Sequence, residues 1–299
     1  MTALFRLVSA VLGHPLNRGR ARGLAALSRV LRWQLASRLL PEAKFVLPYA
    51  NGVSLVVERG MVGATGNFYG GLDEPDEMGF LAHVLQPDDI FIDIGANVGS
   101  YSMLAASLPG TQVISFEPVP ATYERLLQNV AFNRLEGRVQ TRQQGVSDAT
   151  GELRFTANFD SMNRVAGDGE GGVSVPVVRL DDVTYPQLAG KIVLKIDVEG
   201  FEMAVLGGAQ AMLQSGDVLC AIIETNGSVE HYGGTETALF ERMAEFGFMP
   251  WNYSAQDRKL RPGTAGDPSQ INTIFIRDVA EVERRVAMAP KMQLPNGLL

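Results

Sequence analysis

From Ile90 onward the sequence alternates short apolar runs with segments of helical spacing, and this alternation limits the possible folds more than any other feature. Strands are predicted at Ile90–Ile94, Gln112–Phe116, Val139–Gly145, Ile192–Val198 and Val218–Glu224. Helices are predicted at Tyr101–Ser107, Ala121–Asn133, Glu202–Gln214 and Glu236–Phe246. Strands that are apolar throughout are buried on both faces, which implies an α/β fold with a mostly parallel sheet and helices on both sides. "GELRFTANF" and "GGVSVPVVRL" read as an antiparallel excursion, and "FMPWNY" and "INTIFIR" as closing strands. Upstream, "EPDEMGFLAHVL" reads as a short helix and "KFVLPYANGVSLVVERG" as a hairpin turning at Asn51-Gly52. With 299 residues, 46% of them hydrophobic, one large domain with additions is expected.

The first predicted strand runs into Asp93-Ile94-Gly95-Ala96-Asn97-Val98-Gly99. In sheets of this kind ligands bind beyond the carboxyl ends of the strands, where the strand order reverses. The spacing is not that of a dinucleotide fingerprint, and no Lys-Ser/Thr pair makes it a phosphate loop. The turn opens with an acid instead, which suits an amine or cationic ligand better than a pyrophosphate. The second strand ends in Phe116-Glu117-Pro118, and an acid about 20 residues past the turn is a device for holding ribose hydroxyls. Acid, glycine turn and ribose acid without phosphate-binding equipment point to S-adenosyl-L-methionine.

Charge is distributed unevenly. The net charge is −7, yet residues 1–40 hold seven Arg and no acid, so the remainder carries about −14. An acidic body argues against nucleic acid as a partner. The single cysteine, Cys220, excludes an internal disulfide framework and fits a reducing, cytoplasmic setting. The Arg-rich start reads as two basic amphipathic helices broken at Gly13-His14-Pro15, and Arg6 argues against a signal peptide. Such helices suit either peripheral contact with an anionic membrane at its cytoplasmic face or packing on the acidic domain.

"FIDIGANVGSYSMLAA", "VISFEPVPATYERLLQNVAFN", "GVSDATGELRF", "RLDDV" and "IVLKIDVEGFEMAVLGGAQAML" together resemble the FkbM family of S-adenosylmethionine-dependent methyltransferases, in the family's order over about residues 75–277. The resemblance implies the class I methyltransferase fold, Rossmann-like, with seven strands of which the last is antiparallel. It also implies methylation of hydroxyl groups, often on sugars of glycolipids or polysaccharides or on natural products. On this reading residues 1–74 are a basic helical extension and hairpin, 75–280 the methyltransferase domain and 281–299 a tail. Asp93, Gly95, Asn97 and Gly99 would surround the methionine part of the cofactor and Glu117 the ribose. Val146 and Ser147 would lie along the adenine; Asp148 suits a turn before Gly151 equally well.

Chemistry concentrates in "LKIDVEGFE". An alcohol is a poor nucleophile until its proton leaves, and a positioned base contributes roughly 10²–10⁴-fold. Asp197 ends the fourth strand and is the first candidate, with Glu199 beside it. Two readings of these acids stay open: a base with substrate hydrogen bonding, taken as the working reading, or a carboxylate site for a divalent metal such as Mg²⁺ completed by Glu224. Glu202 fits the first turn of a helix, where an acid complements the dipole. Lys195 is read as structural, paired with an acid, and His14 and His83 as peripheral; His231 lies in a loop near the substrate side. Tyr69, Phe159, Asn163, Trp251 and Tyr253 are candidates for contacting a small-molecule or glycan acceptor. A polyketide alcohol, an amine or RNA as acceptor, or a non-catalytic binding module, are the alternatives.

Overall fold

A computed structural model describes residues 3–156, 163–167, 171–183, 190–265 and 271–299. Two helices, α1 (Ala3–Gly13) and α2 (Arg20–Leu39), lead into a hairpin of β1 (Phe45–Pro48) and β2 (Ser54–Val57). Helices α3 (Val62–Gly70) and α4 (Pro75–Val84) follow. The alternating region comprises β3 (Ile90–Ile94), α5 (Ser100–Ala106), β4 (Gln112–Phe116), α6 (Pro120–Phe132) and β5 (Val139–Arg142). A small sheet is then built from β6 (Gly145–Val146), β7 (Gly151–Phe155) and β8 (Val173–Val178), with β7 antiparallel to β8. The main sheet resumes with β9 (Ile192–Ile196), then α7 (Glu202–Gly207), α8 (Gln210–Gln214), β10 (Val218–Glu224) and α9 (Glu236–Glu245). Strands β11 (Met249–Ser254), β12 (Lys259–Pro262) and β13 (Asn272–Ile276), helix α10 (Val279–Met288) and a hairpin of β14 (Gln293–Leu294) and β15 (Gly297–Leu298) end the chain.

The main sheet has the order β12-β11-β13-β10-β9-β3-β4-β5. Strands β3, β4, β5, β9 and β10 are mutually parallel, and β13 inserts antiparallel to β10. This is the class I methyltransferase arrangement, with one strand more than the seven expected: β12 pairs with β11 as an added edge hairpin. Other boundaries shift for local reasons. The strand expected over Val139–Gly145 divides between the main sheet and the small one, and the helix expected over Glu202–Gln214 breaks at Gly207-Gly208, residues that weaken a helix interior. Helix α3 forms although its "VGATGNFYG" has little helical periodicity. Phe159, the end of "GELRFTANF" and part of the "GDGEGG" patch lie outside the described residues.

Period-two alternation sorts the strands between two cores. Ile92, Ile94, Ile114, Leu194 and Ile196 face one side with α7, α8 and α9. Phe91, Val113, Val193, Cys220 and Ile274 face the other, and that core continues through α4 and α5 to Val11, Ala26, Val30 and Trp33 of the N-terminal helices and Leu294 of the tail. The N-terminal segment therefore shares a core with the sheet. Its joint is polar: Arg29 donates to the Tyr69 carbonyl (2.9 Å), Asn17 to the same oxygen (3.0 Å), and Asn296 to the Gly70 carbonyl (2.6 Å). No helix among the described residues is long and apolar enough to cross a membrane.

Candidate active site

Strand order reverses between β3 and β9, the neighbours from which the chain winds outward in both directions. There the carboxyl ends of the strands border a cavity of about 340 Å³. Gly95 makes the convergence of the two strands possible: its φ is +82°, and a Cβ there would lie 1.8 Å from the Asp197 carbonyl oxygen. Backbone can approach this closely only without a side chain.

Of the residues singled out in the sequence, Asp93, Gly95, Asn97, Glu117, Val146, Asp197 and Glu199 all border this cavity. Gly99 and Ser147 do not. Gly99 caps α5, where a Cβ would lie 2.6 Å from Leu126 Cδ1, so its place is in helix packing. Ser147 is buried behind the wall, its N–H donating to the Val178 carbonyl and its hydroxyl to Asp148 Oδ1 (3.1 Å). Glu202 is also buried: its Oε1 accepts from the backbone N–H groups of Val198 (3.3 Å) and Gly200 (3.2 Å), closing the turn before α7. His231 is exposed in a 3₁₀ turn away from the cavity. His83 is a correction, since it is buried rather than peripheral and bonds the Tyr253 hydroxyl (2.8 Å). Tyr253 and Tyr69 pack in the core, Trp251 lies on a strand away from the cavity, and Asn163 borders it.

The cavity wall is strongly acidic. Among the described residues Asp73, Glu74, Asp93, Glu117, Asp197, Glu199 and Glu224 border it against a single cation, Lys195. Burial raises the Asp93 carboxyl to about 6, although Ser102 donates to it at 2.5 Å. Burial raises Glu117 to about 7 even though the N–H groups of Asn97 and Val119, both at 2.9 Å, grip its two oxygens. Glu199 is raised to about 7 by burial, then by the charges of Asp197 and Glu202. Glu224 is raised by burial and by Asp197 and Glu199, and one of its oxygens is buried without a partner. Carboxylates held this unfavourably form a pocket complementary to a cation.

Lys195 belongs to this site as well as to the structure. Its neighbour across the sheet is Asp93, and its ammonium donates to Asp197 Oδ2 (2.9 Å) and Asn272 Oδ1 (2.8 Å). Burial opposes its charge, but the Asp197 and Glu74 carboxylates outweigh that and hold it above the usual lysine range. Asn272 in turn donates to Glu74 Oε1 (2.7 Å), whose Oε2 accepts from the Tyr101 hydroxyl (2.5 Å). Glu74 and Asn272 come from opposite ends of the sequence, so spacing gave no signal of their meeting; the acids in "LDEPDEM" were the only hint. Glu199 adopts φ +54°, left-handed for a non-glycine residue, which is a strain that clusters at functional sites.

The "Methyltransferase FkbM domain" family matches residues 93–249, more than half of the chain. This chain belongs to the FkbM methyltransferase family. Among its relatives is the hexuronic acid methyltransferase AglP of Haloferax volcanii, 30% identical over a region covering 52% of this chain and 64% of AglP. Another is the 31-O-demethyl-FK506 methyltransferase FkbM of Streptomyces tacrolimicus, 32% identical, covering 42% of this chain and 61% of that protein. The match thus spans less than two thirds of either relative. Among solved structures, a TehB-like methyltransferase from Corynebacterium glutamicum aligns over 85% of this chain and 98% of its own, with TM-score 0.40 and 11% identity.

Proposed function

We propose that this FkbM-family chain binds S-adenosyl-L-methionine and methylates a hydroxyl group, that of a sugar in a glycolipid, polysaccharide or natural product. The observation that carries the reading is the acid-lined cavity at the switch point, with Asp197 and Glu199 projecting beside the residues suited to the cofactor. S-adenosylmethionine carries a sulfonium and an ammonium against one carboxylate, and the acidic wall fits that net charge. Asp93, Gly95 and Asn97 would hold its methionine part, Glu117 its ribose and Val146 its adenine. When bound, it supplies an electrophilic methyl group.

The chain's own contribution is proton handling and orientation. Asp197, with one oxygen tied to Lys195, orients the acceptor through its free oxygen. Glu199, poised near neutrality, takes the hydroxyl proton. The Lys195–Asn272–Glu74–Tyr101 chain of hydrogen bonds holds Lys195, and through it Asp197, in place. The sugar acceptor is supported by AglP, whose name gives a hexuronic acid as substrate, and the hydroxyl by the FK506 O-methyltransferase.

Calorimetry tests the cofactor part: Glu117→Ala should weaken S-adenosylmethionine binding by about 1.5–3 kcal/mol through loss of charge-assisted hydrogen bonds. Unchanged affinity in the folded variant would move the cofactor elsewhere.

One observation favours a second reading. Asp197, Glu199 and Glu224 each offer a carboxylate oxygen, all within 4.8 Å of one another, a set able to hold a hard divalent cation. The Lys195 ammonium already occupies one side of Asp197, which favours the metal-free reading. Activity should therefore withstand chelator treatment; loss restored by Mg²⁺ would establish the second reading.

A further inference from the structure

Helix α2 is apolar on two opposite sides. At 100° per residue, Gly23, Ala26, Val30, Trp33 and Ser37 fall on one side, and all are buried. On the other side fall Leu24, Leu31, Leu35 and Leu39, which are 59%, 70%, 59% and 69% exposed. Helix α1, packed on α2, leaves Phe5 and Leu12 exposed as well. Isolated exposed leucines are ordinary, but a stripe running the length of a helix is the pattern of a binding surface.

Charge identifies the occupant. Arg20 and Arg38 lie along one edge of the leucine stripe and Arg32 along the other, all exposed. Among the described residues no acid pairs with any of the three. Arg29 is the exception that explains the packing, since it points inward and bonds the Tyr69 carbonyl. The N-terminal helices are therefore fastened to the domain by apolar contacts, Arg29 and the Asn17 and Asn296 amides, and among the described residues Arg20, Arg32 and Arg38 do not neutralise its excess acids. Leucines flanked by unpaired arginines, on a chain whose other residues carry about −14, present an amphipathic surface of one sign and one direction.

We propose that this outer side of α2 docks on an anionic lipid bilayer, with the leucines entering the headgroup boundary and the arginines meeting phosphates. The acidic remainder of the molecule is repelled by the same surface, which fixes the orientation. The buried side of α2 packs on α3, and Gly63, Ala64 and Asn67 of α3 border the cavity. The cavity then lies beneath two helix layers, roughly 20 Å from the bilayer surface.

Full-length protein should sediment with phosphatidylcholine vesicles containing phosphatidylglycerol at low salt, and not with phosphatidylcholine alone. Each arginine at such a surface strengthens partitioning up to about fivefold, so R20Q/R32Q/R38Q should weaken it by up to about 100-fold. Leu31→Glu with Leu35→Glu should abolish it. Both variants alter exposed side chains only and should retain the wild-type melting temperature and S-adenosylmethionine affinity, which separates this result from failure of the proposed activity. No sedimentation with anionic vesicles would overturn the proposal. So would equal binding to both vesicle types, or a wild-type dimer dispersed by the Leu→Glu pair, which would make the stripe a self-association surface.

Discussion

Glu199→Gln is expected to lower turnover by about 10²–10⁴-fold while S-adenosylmethionine affinity changes by less than about twofold. The reason is the raised carboxyl, which near pH 7 is both available as a base and strong enough to take a hydroxyl proton. Wild-type turnover should rise about tenfold per pH unit below 7 and level off above it, and the variant should lose that limb. Stability moves the other way. Because the folded-state value lies above the ordinary glutamate value, the protonated form is the one the fold favours. Its contribution is present below about 4.5 and is lost as pH rises through about 7. Glu199→Gln should therefore raise the melting temperature at pH 8 and leave it unchanged at pH 4.5. Asp197→Asn should keep the pH limb and act mainly on acceptor KM. If Asp197→Asn abolishes the limb and Glu199→Gln retains it, the two roles are exchanged.

The largest structural effect is expected at Gly95→Ala. A left-handed non-glycine residue costs about 1–2 kcal/mol, and overpacking adds about 1–3 kcal/mol. The collision is with backbone, the Asp197 carbonyl, so no side chain can rotate away and β3 must separate from β9. Denaturant unfolding should show a loss of about 2–5 kcal/mol, and cofactor binding should fail with it. Gly52→Ala is the control. Its φ is +86°, but nothing lies within 4 Å of the added Cβ, so only the conformational cost remains. Equal losses at the two sites would show that the close approach at Gly95 is not what matters.

Much of this was legible in the sequence because it is written locally. The apolar runs of β3, β4, β9 and β10 register their burial on both faces without reference to partners, and the Asp93–Gly99 turn and Glu117 follow their strands at short range. Asp197 and Glu199 could be placed at the site because they follow a strand of the same parallel sheet, and all such strands end on one side. Gly99 and Ser147 lie off the cavity for the complementary reason: their positions relative to strand ends are local, but whether a residue borders the cavity or the packing behind it depends on what approaches from elsewhere, Leu126 in one case and Val178 in the other.

Tertiary structure alone decided the rest. Lys195 alternates correctly as a strand residue, yet its place in the site follows from Asn272 and Glu74, far away in the chain, bringing a hydrogen-bonded line to its ammonium. Both sides of α2 are apolar in sequence; only packing against α3 determined which of them was left facing outward. Strand and turn are encoded by nearest neighbours, whereas cavity walls and exposed faces are properties of contacts between distant segments.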